Sequence, residues 1–231
     1  MKKIIFIVLL SFISCTNESD TLNQSVELNT NEQEGDVLSN NKVYDSMPEM
    51  NIDISKKYTA VIKTSMGDMS VEFFTEDAPM TVNNFINLSR DGYYDNVIFH
   101  RVIPGFMIQG GDPNTKGDNN ASYGTGGHAA KYFGIGNEND SSTWTLPAEF
   151  NNIKHKVGIL SMARANNPNS GGSQFFICAA EAPHLNGKYT VFGQVIEGLE
   201  IIEQIVNQPR DSRDNPNRRI EMKVRIEKRN K

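Results

Sequence analysis

The sequence has little cysteine, little histidine and no long apolar run, and each shortage removes a class of function. Two cysteines, Cys15 and Cys178, in 231 residues cannot build a disulfide framework. Four histidines, His100, His128, His155 and His184, show no Cys/His ligand spacing, so no metal site is read from them. No serine sits in a Gly-X-Ser-X-Gly elbow, which weakens a hydrolase reading. The glycines Gly124, Gly126 and Gly127 lack a following Gly-Lys-Ser/Thr and a strand-then-helix context, which weakens a nucleotide reading. The charge of -5 is unevenly spread, and residues 57–231 carry 19 basic and 19 acidic side chains. A neutral main domain gives no electrostatic footprint for nucleic acid. No heptad pattern argues for association, and a monomer is expected.

What is present falls into three parts. Lys2-Lys3, an apolar run from Ile4 to Leu10 and small residues before Cys15 form a basic-apolar-small pattern too short to span a bilayer. Residues 1–15 therefore read as a signal segment. Residues 16–56 hold nine acids against two lysines and lack a sustained hydrophobic period, so a disordered tether is expected. From residue 57 onward, apolar alternation becomes regular, and one domain of ordinary size is expected.

Within that domain, 59–64 and 69–74 read as a hairpin around Met66-Gly67-Asp68. Pro79 followed by Val82, Phe85, Ile86 and Leu88 predicts a helix with proline in its first turn. Further strands are predicted at Val97–Phe99, Phe106–Gln109, Val157–Ala163, Gln174–Ala179, Tyr189–Gln194 and Ile220–Ile226. Ile196, Leu199, Ile202, Ile205 and Val206 fit one face of a second helix. The stretch Asn114–Asn152 is loop-like and long; the single tryptophan, Trp144, is expected to cover the core or pack the loop. Cys178 ends an apolar strand and is expected to be a plain core residue.

Two stretches carry more than packing. Phe99-His100-Arg101-Val102-Ile103-Pro104-Gly105-Phe106-Met107-Ile108-Gln109-Gly110-Gly111-Asp112 puts one cation among aromatic and apolar side chains, and alternation sets Met107 and Gln109 on one face. Gly172-Ser173-Gln174-Phe175-Phe176-Ile177-Cys178 has the same character and gives Gln174 and Phe176 one facing. Together with Gly124-Thr125-Gly126-Gly127, Leu185-Asn186-Gly187-Lys188 and Val191-Phe192-Gly193, in this order, the chain from about Tyr58 to Arg229 resembles a cyclophilin-type peptidyl-prolyl cis-trans isomerase.

The resemblance implies a mainly β fold, a closed antiparallel eight-stranded barrel capped by two α-helices. It implies an enzyme that speeds rotation about X-Pro bonds, with proline-containing peptides and unfolded or folding proteins as partners and with no cofactor. Arg101 takes the catalytic donor role; Phe106, Met107, Phe176 and Leu185 surround the proline ring; Gln109 holds the substrate backbone. Ala163 and Arg164 correspond to the wall along the peptide, and Gln174 lines the site. Such a role suits an arginine, which stays charged and offers a planar donor fork. Three positions depart from the common pattern: His184 stands where tryptophan is frequent, Tyr189 where histidine is, and Arg164 where asparagine is. His184 in place of tryptophan implies weak sensitivity to the family's cyclic peptide inhibitor, and Arg164 implies a bias toward acidic residues near the proline. A peptide-binding chaperone that keeps the groove without turnover is the contrasting reading, and Arg101, Phe106 and Gln109 favour catalysis over it.

Cys15 is placed like a bacterial lipoprotein processing site, with an ordinary secretory signal as the alternative. The expectation is lipidation of Cys15 and a domain tethered in the bacterial cell envelope, on the periplasmic side or at the cell surface, serving exported proteins.

Overall fold

A computed structural model describes residues 50–228. The signal-like segment, Cys15 and most of the polar tether lie outside the described residues.

Alternating burial builds the sheet. Strands β1 (Tyr58–Thr64) and β2 (Gly67–Phe73) form the expected hairpin, with Thr64 opposite Gly67. They send Ala60, Ile62, Met69, Val71 and Phe73 inward. At the turn Gly67 has φ +133°, and a Cβ there would run into Ile201 Cδ1, so only glycine fits. Helix α1 spans Pro79–Arg90, followed by β3 (Val97–Ile98), β4 (Arg101–Ile103) and β5 (Met107–Gly110). After the long loop come β6 (Ile159–Met162), β7 (Phe175–Cys178), β8 (Val191–Glu197), α2 (Leu199–Val206) and β9 (Glu221–Lys228).

The strand order is β3-β9-β1-β2-β8-β6-β7-β5-β4, all neighbours antiparallel. This overturns the closed eight-stranded barrel. The sheet has nine strands and forms an open, curled half-barrel with two helices over it. The physical reason lies at the two ends of the order. β3 and β4 are successive pieces of one run, joined through Phe99-His100, and a run cannot pair with its own continuation. The Phe99 amide donates to Ile220 O on one side and the His100 amide to Gln109 O on the other, so the seam is spanned by chain rather than by a ladder.

The core is aromatic. Phe85 of α1 lies 5.5 Å from Phe73, 4.9 Å from Tyr94, 5.3 Å from Phe175 and 5.3 Å from Phe192, centroid to centroid. Each such pair contributes about 0.5–1.5 kcal/mol beyond simple burial. Ile201, Ile202, Ile205 and Val206 bury the inner face of α2; of the face read from sequence, Ile202, Ile205 and Val206 are buried, while Leu199 is exposed and Ile196 belongs to β8. Cys178 is fully buried, and burial pushes its thiol up to about 12. Trp144 packs against the core from the long loop, its indole N–H donating to Asn137 O at 2.8 Å.

Helix α1 is capped from elsewhere in the chain. Ala78 supplies no side-chain cap, leaving first-turn amides without partners. Glu149 fills the gap: Oε1 accepts from the Met80 amide at 2.9 Å, and Oε2 from the Thr81 amide and hydroxyl at 2.7 Å each. Burial raises the Glu149 carboxyl above its ordinary value against the pull of these bonds.

A stripe of buried asparagines on α1 ties in the surroundings. Asn84 donates to Gly172 O at 2.9 Å and accepts from the Ala130 amide at 2.6 Å. Asn83 and Asn87 accept from the amide and side chain of Asn51. The segment before β1 thereby lies on the helix, and Ile52 is buried in the core cluster. Ile52→Ala is expected to lower the unfolding free energy by about 2 kcal/mol, read as a shift of the urea midpoint at unchanged slope. An unshifted midpoint would show that this segment adds nothing to the domain.

Candidate active site

The site is assembled by strand register. Arg101 of β4 faces Gln109 of β5, Gln109 faces Phe176 of β7, and Phe176 faces Ser161 of β6. Directly opposed residues share a face, so these four side chains form one row across four strands. Met107, opposite Cys178, follows two positions along the same face of β5. Pro104-Gly105, with Gly105 at φ +73°, makes the β4–β5 turn that returns the chain.

A cavity of about 240 Å³ opens over this row, lined by Arg101, Phe106, Met107, Gln109, Ala163, Arg164, Phe176, Leu185 and Tyr189. Its floor is apolar: Met107, Phe176 and Leu185 are buried. A second cavity of about 260 Å³ shares Gln109, Ala163 and Arg164 with the first and runs on past Gly124–Gly127, Ser170 and Gln174. The two make one groove, and its size suits a short peptide with one compact apolar ring in the first recess. A larger recess of about 590 Å³ lies between the end of α1 and β9, lined by Arg90, Asp95 and Arg225 among others. Volume is a poor guide here: Arg225 is already paired bidentately with Asp95 at 3.0 and 3.1 Å.

Of the eleven positions expected to be catalytic or to touch substrate, ten line these cavities, all but His184. Gln174 belongs to the second recess. His184 does not line the groove. It is exposed, with its ring 5.6 Å from the Phe106 ring, at the edge of the groove that Phe106 lines.

Polar groups along the groove form a directed chain. Arg101 Nη1 donates to Gln109 Oε1 at 3.4 Å, Gln109 Nε2 to Gln174 Oε1 at 2.9 Å, and Gln174 Nε2 to Gly126 O at 2.7 Å. With each amide fixed in sense, the Gln109 oxygen faces the guanidinium. On its other side Arg101 Nε lies 4.0 Å from Asp214 Oδ2, while Asp214 Oδ1 accepts from Arg210 Nε at 3.0 Å. Asp214 sits at φ +65°, and its carbonyl accepts the Val102 amide at 2.9 Å, which anchors it beside β4. Sequence reading passed over Asp214, because its loop looks like any polar connection between α2 and β9.

Two histidines back the groove. His155 is buried, stacks on Phe176 at 6.0 Å and 15°, and joins Ser161 Oγ at 3.1 Å and Asn186 Oδ1 at 3.2 Å. Burial lowers its pKa while Asn186 opposes the shift. His100, beside Arg101, is 3% exposed, and among the described residues neither ring nitrogen meets a hydrogen-bond partner. Burial pushes its pKa down to about 4, with Asp112 pulling the other way.

Among the described residues no group of His, Cys, Asp and Glu is arranged to hold a metal ion. The chemistry offered by the groove is a fixed cation beside an apolar recess, with amide groups to hold a peptide backbone.

Comparison with known proteins agrees with this geometry. Residues 59–228 match the family described as cyclophilin type peptidyl-prolyl cis-trans isomerase/CLD. The chain is 44% identical over 153 residues to a peptidyl-prolyl cis-trans isomerase of Synechococcus elongatus, covering 65% of this chain and 90% of that protein. It is 42% identical over 156 residues to peptidyl-prolyl cis-trans isomerase CYP18-2 of Arabidopsis thaliana, covering 67% of this chain and 84% of the relative. A crystal structure of a cyclophilin type peptidyl-prolyl cis-trans isomerase from Cryptosporidium parvum superposes with a TM-score of 0.64 at 36% identity, over 75% of this chain and 99% of the other. The same isomerase in the presence of the dipeptide ala-pro gives 0.63 at 36% identity, with the same coverage.

The depressed pKa of His100 has a definite sign. Between an unfolded value near 6.5 and a folded value of about 4, the unfolded chain binds more protons, so stability present above pH 6.5 is lost as pH falls toward 4. The unaltered protein is expected to lose about 2 kcal/mol more than His100→Leu between pH 7 and pH 4.5, measured as urea midpoints. Equal losses in both would exclude His100 as the source.

Proposed function

The chain belongs to the cyclophilin-type peptidyl-prolyl cis-trans isomerases, and on that premise we propose that Arg101 is its catalytic group and exported proteins are its clients. The protein is an enzyme that accelerates rotation about X-Pro peptide bonds, using an apolar pocket for the proline ring.

The barrier of ~18–20 kcal/mol to that rotation comes from amide resonance. A donor directed at the prolyl nitrogen stabilises the pyramidal form that appears when the lone pair leaves the carbonyl. Arg101 is suited to this: half-exposed at the rim of the recess, permanently charged, and oriented by Gln109 on one side and Asp214 on the other. Phe106, Met107, Phe176 and Leu185 would hold the ring still while the X side rotates, and Gln109 and Gln174 would hold the flanking backbone. The row Arg101–Gln109–Phe176, which sets the cation and the apolar floor side by side, is the observation that carries this reading.

Arg101→Ala is expected to lower kcat/KM by about a hundredfold, the usual scale for one aligned donor to developing charge. Exchange spectroscopy of an Ala-Pro tetrapeptide measures it directly. Retained activity in a folded Arg101→Ala protein would move the catalytic role elsewhere.

The expected lipidation of Cys15 completes the proposal. Attached there, the domain would work at an envelope membrane of a bacterium, on proteins whose X-Pro bonds equilibrate over tens to hundreds of seconds unaided. No helix among the described residues is long and apolar enough to cross a membrane. Cys15→Ser is expected to shift the protein from the membrane to the soluble fraction; an unchanged fractionation would remove the anchor.

A further inference from the structure

Arg164 occupies the junction of the two recesses, lining both. Its guanidinium is already committed. Nε and Nη2 donate to Lys188 O at 3.2 and 3.0 Å, and Nη1 donates to Ala165 O at 2.8 Å and to Asn166 O at 3.3 Å. Its carbon centre stacks over the Tyr189 ring at 4.5 Å and lies 5.9 Å from the Phe150 ring. The Tyr189 ring also meets the Phe176 ring in a T-shaped contact at 5.8 Å and 81°.

The order of contacts runs Phe150, Arg164, Tyr189, Phe176. The last of these is the floor of the first recess, and Tyr189 is one of its walls. The carbonyls of Ala165 and Asn166 belong to the loop that carries Ala165 and Ser170 into the second recess. One side chain therefore grips a ring on one side and a loop on the other. Its planar fork is what permits both at once, because the same plane stacks on tyrosine and spreads donors to three carbonyls.

We propose that Arg164 is a positioning residue: it clamps Tyr189 against the proline recess and holds the loop 165–170, rather than reading charge on the substrate. This rests on the isomerase reading of the same groove. Two consequences separate it from a role in attracting acidic peptides. The effect should fall equally on neutral, acidic and basic peptides, and it should require the guanidinium rather than the positive charge. An ammonium is a compact point charge that cannot fork and stack in this way.

The test compares the unaltered protein with Arg164→Lys and Arg164→Ala on tetrapeptides carrying Ala-Pro, Glu-Pro or Lys-Pro. Both variants are expected to raise KM about tenfold on all three peptides, with kcat within about twofold. Aromatic NMR should show faster Tyr189 ring flipping in both, with signals of the Phe85 cluster unmoved. Full retention of the parental KM and ring dynamics by Arg164→Lys would overturn the clamp. So would a loss confined to the Glu-Pro peptide in Arg164→Ala, which would make Arg164 an anion reader. Ring flipping is measured without substrate, so a protein that failed to accelerate isomerisation would sink the isomerase reading while the flipping rates still decide the clamp.

Discussion

The lateral register of β5 between β4 and β7 is the constraint on which the site depends. Side chains alternate along a strand, so a slip of one residue on either side would turn Gln109 or Phe176 to the opposite face and separate Arg101 from the apolar floor. Close packing at the end of the strand holds that register. A Cβ on Gly110 would strike the Met222 side chain, and one on Gly111, at φ +89°, would strike Ser173 O. Ser173 Oγ in turn donates to Gly111 O at 2.7 Å. The two glycines, at the end of β5 and just after it, are therefore where the strand passes close to Met222 of β9 and to the entry of β7.

Apolar burial fixes the sheet, but polar bonds fix the loops that finish the groove. Asn84 projects from the middle of α1 and satisfies both a donor and an acceptor in the loops at Ala130 and Gly172. Asp112, fully buried, accepts from the amides of Asn114 at 2.8 Å, Gly124 at 2.6 Å and Gly126 at 3.3 Å. Gly126 is the residue whose carbonyl ends the Arg101–Gln109–Gln174 chain. A buried carboxylate that collects three amides holds the glycine-rich loop in one shape, and a buried polar network of this kind is worth having only when nearly every member is paired. The long loop is held where it meets the site because its backbone bonds to Asp112.

These two layers differ in how far sequence discloses them. The hairpin of β1 and β2, helix α1 around Phe85, and helix α2 follow from apolar period alone, since burial imposes that period. The expected site positions could be named because short motifs came in a family's order, and ten of the eleven line the two adjoining cavities. Closure of the barrel was misjudged: whether β3 and β4 count as two edges depends on Phe99 and His100 bonding outward to different strands, which no alternation pattern encodes. His184 was expected at the site because it stands where tryptophan is frequent, two residues before Asn186-Gly187; on its short 3-10 turn it packs beside Phe106 at the edge of the groove. Asp214, Glu149 and Asn84 carry no sequence signal at all. Each is an ordinary polar residue whose meaning comes from a partner far away in the chain.

Two arginines in one groove acquire different work from what surrounds their donors. Arg101 has one bond of 3.4 Å to an amide oxygen and a carboxylate 4.0 Å away, and it lines the open recess. Arg164 has four bonds to three backbone carbonyls and a ring against its face. The guanidinium is chemically the same in both, and both stay charged. A donor already satisfied by fixed carbonyls gains little by turning to a substrate, whereas a donor held in place but under-bonded gains most when charge develops in front of it. On the proposed assignment of Arg101, catalytic capacity follows from leaving one arginine incompletely paired, and Gln109 and Asp214 beside it keep its position fixed.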